Sequence, residues 1–335
     1  MDYRLQQLIE WLPAVLGSGE FEVSPASADA SFRRYFRVAY AGQTAIVMDA
    51  PPGKENPLPF IRIAELLARA GVHTPQILAQ DLTQGFLVLS DLGDESYLQA
   101  LTHDDAAGLY ADAMQALLKI QSIPIDTASL PPYGAGLLWQ ELTLFRDWFL
   151  NTHLGIDLTP AQEQRLEAVF QLLVESALQQ PKVVVHRDYH SRNLMACADR
   201  PGVIDFQDAV IGPLTYDLVS LLRDAYIRWP QQQVEQWALE YFGRWLRQSA
   251  RRGISPQTFL AWFDLMGLQR HLKVVGIFSR LNYRDHKDGY LKDIPLTFDY
   301  VLEACQRHRE LDDFYQLLQE LDIRQRLIDK ASRAA

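Results

Sequence analysis

The sequence predicts an α+β protein in two lobes, a small antiparallel sheet followed by a large, mainly helical body. Three observations carry this expectation. Short β-rich runs separated by glycine turns fill the stretch from about 20 to 90, apolar residues recur at helical spacing from residue 104 onward, and no internal repeat links the two patterns. Ahead of the sheet, Leu5, Leu8, Ile9 and Leu12 fall at i, i+3, i+4 and i+7, an amphipathic helix that Pro13 is expected to close. Residues 32–40 and 44–49 flank Ala41-Gly42-Gln43 and read as a hairpin, which Pro51-Pro52-Gly53 ends. Residues 59–71 read as a helix capped by Gly71, and 77–80 and 86–89 as two further strands about Thr83-Gln84-Gly85. Helical spacing then marks 104–121, 137–152, 160–179, 231–251, 256–281 and 299–322, with β-rich islands at 182–185 and 203–206. The division is expected at the end of the sheet, giving residues 1–91 and 92–335.

Composition narrows the class. The chain has 335 residues, 48% hydrophobic and 22% charged, which suits a globular protein with a sizeable core. Its 32 basic and 42 acidic residues leave a net charge of −10, which repels a phosphate backbone, so no nucleic-acid partner is expected. No apolar run reaches the roughly 18 residues that cross a bilayer, so no membrane partner is expected. The first dozen residues mix acid and base among apolar positions, unlike a signal peptide. Two cysteines, Cys197 and Cys305, make no disulfide framework, and the expected compartment is the reducing cytoplasm.

The densest chemical signal is Val183-Val184-Val185-His186-Arg187-Asp188-Tyr189-His190-Ser191-Arg192-Asn193, with Val203-Ile204-Asp205-Phe206 following. Asp188 and Asn193 lie five apart, and Asp205 comes twelve after Asn193. Phosphoryl transfer from ATP needs these types in this order. One carboxylate accepts the proton of the attacking hydroxyl, and an Asp with an Asn holds Mg²⁺ against the phosphates. Asp188 is therefore the candidate base, and Asn193 and Asp205 the candidate metal ligands. A chance loop between helices would not combine a preceding apolar strand, the five-residue spacing and a second apolar strand ending in Asp-Phe.

Asp205-Phe206 is followed by Gln207 where protein kinases have glycine, and no A-P-E follows. The continuation, with Gly212-Pro213 and Asp217-Leu218, resembles the aminoglycoside phosphotransferase superfamily, whose members share the bilobal protein-kinase-like fold and phosphorylate small molecules. The Asp of that family's Gly-Asp-Pro form is missing. Asp217 reads as structural, capping a helix or tying the catalytic loop. Asp208 is a candidate for facing substrate, with a solvated loop acid as the alternative.

Four features resemble one branch of that superfamily, the kinases that phosphorylate the anomeric hydroxyl of N-acetylmuramate and N-acetylglucosamine. They are the run from Ala28 to Val38, Met48-Asp49-Ala50-Pro51-Pro52, Leu89-Ser90-Asp91-Leu92-Gly93 and the His-Arg-Asp-Tyr-His loop. The resemblance implies an ATP- and Mg²⁺-dependent sugar 1-kinase serving peptidoglycan recycling, with a small amino-sugar partner and a monomeric chain. An aminoglycoside or other amino-alcohol kinase, or a pseudokinase regulator, are the alternatives. The resemblance places Ser31, Phe32, Arg33 and Arg34 where kinases carry a phosphate loop, here without glycine, and Ser90, Asp91 and Leu92 at the adenine-binding crossover. Met48 stands where the third strand would carry its lysine, so the phosphate clamp is sought at Arg33, Arg34 or Lys54.

From Leu218 to Lys287 eleven basic residues stand against five acidic ones, in an otherwise acidic chain. Polycationic aminoglycosides would need the opposite polarity, whereas the lactyl carboxylate of N-acetylmuramate suits it, although most of such charge is ordinarily solvated helix face. His190, Arg223, His271, Lys273 and Arg280 are the candidate substrate contacts.

Overall fold

The computed structural model describes residues 2–28, 32–102, 105–198, 200–249 and 251–334. By contact the chain forms two compact units, Met1–Lys119 with Arg192–Asp208, and Ile120–Ser191 with Ala209–Ala335. The unit that holds the sheet thus runs on past residue 91 and takes a later segment of the chain.

The first unit is built on five strands, β1 (Glu22–Ala28), β2 (Arg34–Tyr40), β3 (Gln43–Asp49), β4 (Ile77–Asp81) and β5 (Phe86–Ser90), in the order β1-β2-β3-β5-β4 with every neighbour antiparallel. Helix α1 (Tyr3–Leu16) covers one face. Its Leu8 and Leu12 meet Phe36, Val38, Ala45, Val47, Phe86 and Val88, the alternate residues of three strands. The Asp2 carboxylate caps α1 by accepting from the Leu5 N–H at 3.1 Å. Pro13 lies inside the helix, which runs on to a left-handed Gly17. Proline removes only one N–H near the C-terminal end, so the last turn survives. Ile9, expected on the apolar stripe, is exposed. Helix α2 (Leu58–Arg69) follows the hairpin, and α3 (Tyr97–Ala100) and α4 (Ala106–Gln121) follow the sheet. Strand β1 was not expected. Its sequence Glu22-Val-Ser-Pro-Ala-Ser-Ala lacks a clean apolar alternation, because it is an edge strand whose proline sits at an irregularity in the pairing. Residues 202–203 alone pair as a strand, with Leu194–Met195, and the run expected at 203–206 ends there.

The second unit is helical: α5 (Ile125–Ala128), α6 (Ala135–Leu144), α7 (Pro160–Gln179), α8 (Tyr216–Leu222), α9 (Gln231–Gln248), α10 (Pro256–Asp285), α11 (Ile294–Arg307), α12 (Asp312–Glu320) and α13 (Ile323–Ala334). One two-stranded ribbon joins β6 (Lys182–Val185) to Val210–Pro213. Helix α10 is the axis, buried from Phe263 to Gly276 without a break and packed on α6, α7, α8 and α11. Ser255 caps it through the Thr258 N–H, and Pro256 opens it. The expected helix at 137–152 turns into a π-helix at Phe145–His153. The one expected at 299–322 breaks at Arg309–Leu311 into α11 and α12. Cys305 is buried, which pushes its thiol up to about 12. Among the described residues no helix is long and apolar enough to cross a membrane.

At Gly276 helix α10 crosses the end of α6 so closely that a Cβ would stand 2.4 Å from the Leu144 carbonyl carbon. Gly276→Ala should therefore destabilise by about 1–3 kcal/mol through overpacking, although alanine in an open helix would add about 1 kcal/mol of stability. The sign of the change in urea unfolding checks this, and stabilisation would show that the crossing is loose.

Candidate active site

Strand β6 delivers the loop that carries Asp188. After it, Arg187 takes a left-handed conformation at φ 80°, unfavourable for a side chain of its size. Two backbone donors hold the bend: His186 N–H at 2.6 Å and Arg187 N–H at 3.0 Å, both onto the carboxylate of Asp217 in α8. Asp217 thus ties the Asp188 loop, as one of the two expected roles had it; α8 itself, with Thr215 at its N-cap, has no side-chain cap. Burial pushes its carboxyl up to about 7, against the pull of the two N–H donors. Further on, Asp224 accepts from Ser191 N–H at 2.9 Å and Ser191 Oγ at 2.5 Å.

Behind the loop lies a buried charge cluster. Glu141 of α6 accepts from Arg187 at 2.6 Å, from Lys273 Nζ of α10 at 2.9 Å, and from the Tyr133 hydroxyl. Lys273 also donates to the Tyr216 hydroxyl at 2.9 Å. Burial raises the Glu141 carboxyl, but Lys273 and Arg187 outweigh it and hold it below the usual range. The same balance holds at Asp188, where burial is overcome by Lys273, His190, His186 and Arg187. The structure thus brings Asp188, His190 and Lys273 into one electrostatic neighbourhood. His190 also meets Tyr226 edge-on at 5.5 Å, Tyr226 meets Phe278 at 6.0 Å, and Phe278 meets Tyr290 at 5.4 Å. That aromatic run begins two residues from Asp188 and offers rings of the kind that sugars stack on.

Arg223 and His271 sit elsewhere. Arg223 is 5% exposed, bonded to Asp264 at 2.5 Å and stacked on Phe263 at 4.5 Å. Asp264 also binds Arg307 at 2.7 Å and His308 at 2.9 Å. The His271 ring contacts the Arg223 carbonyl at 2.9 Å, and burial lowers its pKa to about 3, leaving it neutral. Both are therefore committed to packing inside the helical unit. Arg280 is half-buried, and among the described residues it forms no ion pair; burial lowers its affinity for its proton.

In the sheet unit, Asn193 donates its side-chain amide to Asp205 at 3.3 Å, and Gln207 donates to the other carboxylate oxygen at 2.7 Å. Asp205 is left-handed at φ 63°, and Phe206 beside it packs on Phe60 of α2 at 4.9 Å. Asn193 and Asp205 form an oxygen-bearing pair on neighbouring backbone, since the Ile204 N–H bonds the Asn193 carbonyl at 3.1 Å. Among the described residues no cluster of three His, Cys, Asp or Glu side chains stands ready for a metal. Asp208 is exposed.

Arg33 and Arg34 part company. Arg34 lies on the side of β2 that faces Asp49, and binds it at 2.5 and 3.0 Å; Asp2 and Arg4 complete the cluster. The Asp49 side chain is fully buried, so that guanidinium is structural. Arg33 instead approaches Glu55 at 3.7 Å, Glu55 accepts the Phe32 N–H at 3.0 Å, and Lys54 lies over the Phe32 ring at 5.0 Å. Ser31 lies outside the described residues. At the expected crossover, Ser90 pairs with Gln76 through backbone and hydroxyl, Asp91 is held by Arg37 at 2.7 Å, and the Leu92 carbonyl accepts from Cys197 Sγ at 3.4 Å. Met48 is fully buried.

Sequence reasoning missed Glu141, Asp224 and the Tyr226–Phe278–Tyr290 run. Glu141 left a signal, an acid inside the mainly apolar Leu137-Leu138-Trp139-Gln140-Glu141-Leu142. The aromatic run left none, because its members come from three separate elements.

The fold agrees with comparison to known proteins. Residues 22–256 match the phosphotransferase enzyme family, and the chain belongs to that family. Three relatives are each named N-acetylmuramate/N-acetylglucosamine kinase. The protein from Pseudomonas putida is 48% identical over 96% of this chain and 97% of its own length. That from Pseudomonas aeruginosa is 46% identical over the same shares. That from Neisseria meningitidis is 41% identical over 94% and 95%. Among solved structures, an ADP-bound aminoglycoside phosphotransferase superposes with a TM-score of 0.59 at 16% identity, covering 91% of this chain and 99% of its own. A choline kinase from Streptococcus pneumoniae gives 0.58 at 16%, covering 89% and 99%. These two likenesses show the kinase-like fold.

Asp217→Asn replaces an acceptor of one buried N–H by a donor. Stability should fall by about 1–3 kcal/mol, with kcat falling alongside as the loop loosens. An unchanged urea midpoint would remove Asp217 from that role.

Proposed function

We propose that the protein transfers the γ-phosphoryl group of ATP to the anomeric hydroxyl of N-acetylmuramate and N-acetylglucosamine. The observation that carries this reading is the 41–48% identity, over nearly the whole length, to three kinases of that name. The sugar 1-phosphates would serve peptidoglycan recycling in the cytoplasm, from a chain acting as a monomer.

Asp188 takes the acceptor proton. An anomeric hydroxyl is more acidic than an ordinary alcohol, so a carboxylate that stays ionised suffices as its base. The neighbouring cations support that ionised state. Asn193 and Asp205 supply oxygen donors of the kind Mg²⁺ prefers, and a site with a single carboxylate suits an ion that completes its shell with phosphate and water. When bound, the ion would offset phosphate charge. Arg33 is the candidate phosphate contact, now that Arg34 is occupied by Asp49, and the backbone of Ser90, Asp91 and Leu92 the candidate adenine contact. For the sugar, His190 and the rings of Tyr226 and Tyr290 are the candidate platform, with Asp208 a further candidate contact.

Of the cations expected to read a carboxylate, Arg223 and Lys273 already have carboxylate partners. Arg280 lies seven residues beyond Lys273 on the same stripe of α10, about 10 Å along the axis. It is the candidate for the lactyl carboxylate of N-acetylmuramate.

A coupled ADP-release assay against a panel of amino sugars, aminoglycosides and amino alcohols tests the acceptor. Asp188→Asn should lower kcat roughly 10²–10⁴-fold while Mg-ATP still binds. More than a tenth of wild-type kcat would remove Asp188 from the role. Arg280→Gln should lower kcat/KM for N-acetylmuramate roughly 10- to 150-fold, the worth of a charge-assisted hydrogen bond, and spare N-acetylglucosamine. Equal losses on both sugars would place Arg280 in structure.

A further inference from the structure

The sheet unit holds a carboxylate that no apolar packing accounts for. Glu55 lies in the turn between β3 and α2, and its side chain is only 18% exposed. A charge at that depth is costly unless it is paired. Its two oxygens serve two neighbouring residues just ahead of β2. One accepts the Phe32 N–H at 3.0 Å, and the other faces Arg33 Nε at 3.7 Å. A single acid thus fixes the backbone of one residue and the side chain of the next. Lys54, beside it in the same turn, lies over the Phe32 ring at 5.0 Å.

The turn that presents Glu55 is itself anchored. The Lys54 and Glu55 N–H groups donate to the Pro51 carbonyl at 3.1 and 3.0 Å. Ahead of it, the Ala50 N–H donates to the Gly85 carbonyl at 2.8 Å, and any side chain at Gly85 would collide with the Ala50 carbonyl. Behind it, the Asn56 side chain accepts from the Leu58 N–H at 3.0 Å, where α2 begins. Glu55 is therefore held by the sheet and by α2, and it holds Phe32 and Arg33 in turn.

We propose that Glu55 is a positioning residue for the nucleotide: it fixes the Phe32 backbone and the Arg33 guanidinium where Arg33 meets the phosphates of ATP. The proposal rests on the phosphotransfer reading, with Arg33 as the phosphate contact. An acid beside Nε sets the plane of the guanidinium, and a fork already set in its plane loses less freedom on meeting phosphate oxygens. Neighbouring groups do not offer the same service. Arg34 is committed to Asp49 and Asp2. Glu65 of α2 pairs with Arg69 at 3.1 Å, with both side chains more than half exposed. Met48 of β3 is fully buried and uncharged. An acid near phosphates also repels them, so the sign of the change on its removal decides between positioning and repulsion.

Calorimetric titration of Mg-ATP and of adenosine into the full chain, with no sugar present, supplies that sign. Glu55→Ala should weaken Mg-ATP about tenfold, because both holds on the segment go. Glu55→Gln keeps an amide oxygen for the Phe32 N–H and loses only the ion pair, so it should weaken Mg-ATP about threefold. Adenosine has no phosphate and should bind all three proteins alike. In an Arg33→Met background, Glu55→Gln should cost nothing further for Mg-ATP. Equal losses for adenosine would overturn the proposal, because Glu55 would then support the unit as a whole. Unchanged or tighter Mg-ATP binding in Glu55→Gln overturns it too, as the acid would then only repel phosphate or compete for Arg33. So does full additivity with Arg33→Met. A wild type that binds no Mg-ATP overturns both the proposal and the phosphotransfer reading. If the pattern holds while no sugar of the panel is phosphorylated, Glu55 keeps its role and the acceptor reading has failed.

Discussion

The loop that carries Asp188 depends on one bend that its sequence would not adopt alone. Arg187 is a large, charged residue in a left-handed conformation, a state costing of order 1–3 kcal/mol. Asp217 offsets that cost from below by taking both N–H groups of the bend, and Glu141 offsets it from the side by taking the guanidinium. Asp224 then fixes the loop's far end at Ser191. Three acids on three different stretches of chain thus hold six residues in place. Backbone donors and buried carboxylates do this work where a glycine would have left the loop free.

The basic excess of the helical unit looks different once its partners are known. Arg223, Arg307 and His308 converge on Asp264, Arg307 also reaches Glu235, Arg228 reaches Glu303, and Lys273 and Arg187 share Glu141. Part of the positive charge, at Arg223, Arg228 and Lys273, is thus consumed by carboxylates from elsewhere in the same unit, some outside the segment whose charges were counted. A local count of charge reports polarity along the chain, whereas the field at a site depends on which pairs close in three dimensions.

What could be read from the sequence follows the range over which each feature is determined. The hairpin, β4, β5, α2, α7 and β6 were legible because periodicity and turn residues are local. The Asp188–Asn193–Asp205 spacing was legible for a related reason, since its meaning lies in the residue types and their order. The break between α11 and α12 and the π-helix after Leu144 were not, because α11 and the π-helix are packed against α10, which lies outside either segment; the edge strand β1 was not, because its proline and small polar residues leave no apolar alternation. The split between Arg33 and Arg34 shows the boundary well. Adjacent residues of one type look equivalent in a string, yet Arg34, inside β2, goes to a buried aspartate and Arg33, just ahead of the strand, to Glu55. Lys273 was read as a substrate contact, and its ion pair with Glu141 was not legible, since Glu141 lies more than a hundred residues away in the chain.

The two cysteines also differ in a way that bears on how the molecule can be handled. Cys305 is sealed in the helical core with a thiol at about 12, so electrophilic reagents would find almost no thiolate there. Cys197 is partly open, and its sulfur bonds the Leu92 carbonyl just after β5. A maleimide or a small fluorophore would therefore select one position without any engineering of the other. Because attachment there must break the contact with Leu92, a dye on Cys197 would be placed to register changes in the backbone that follows β5.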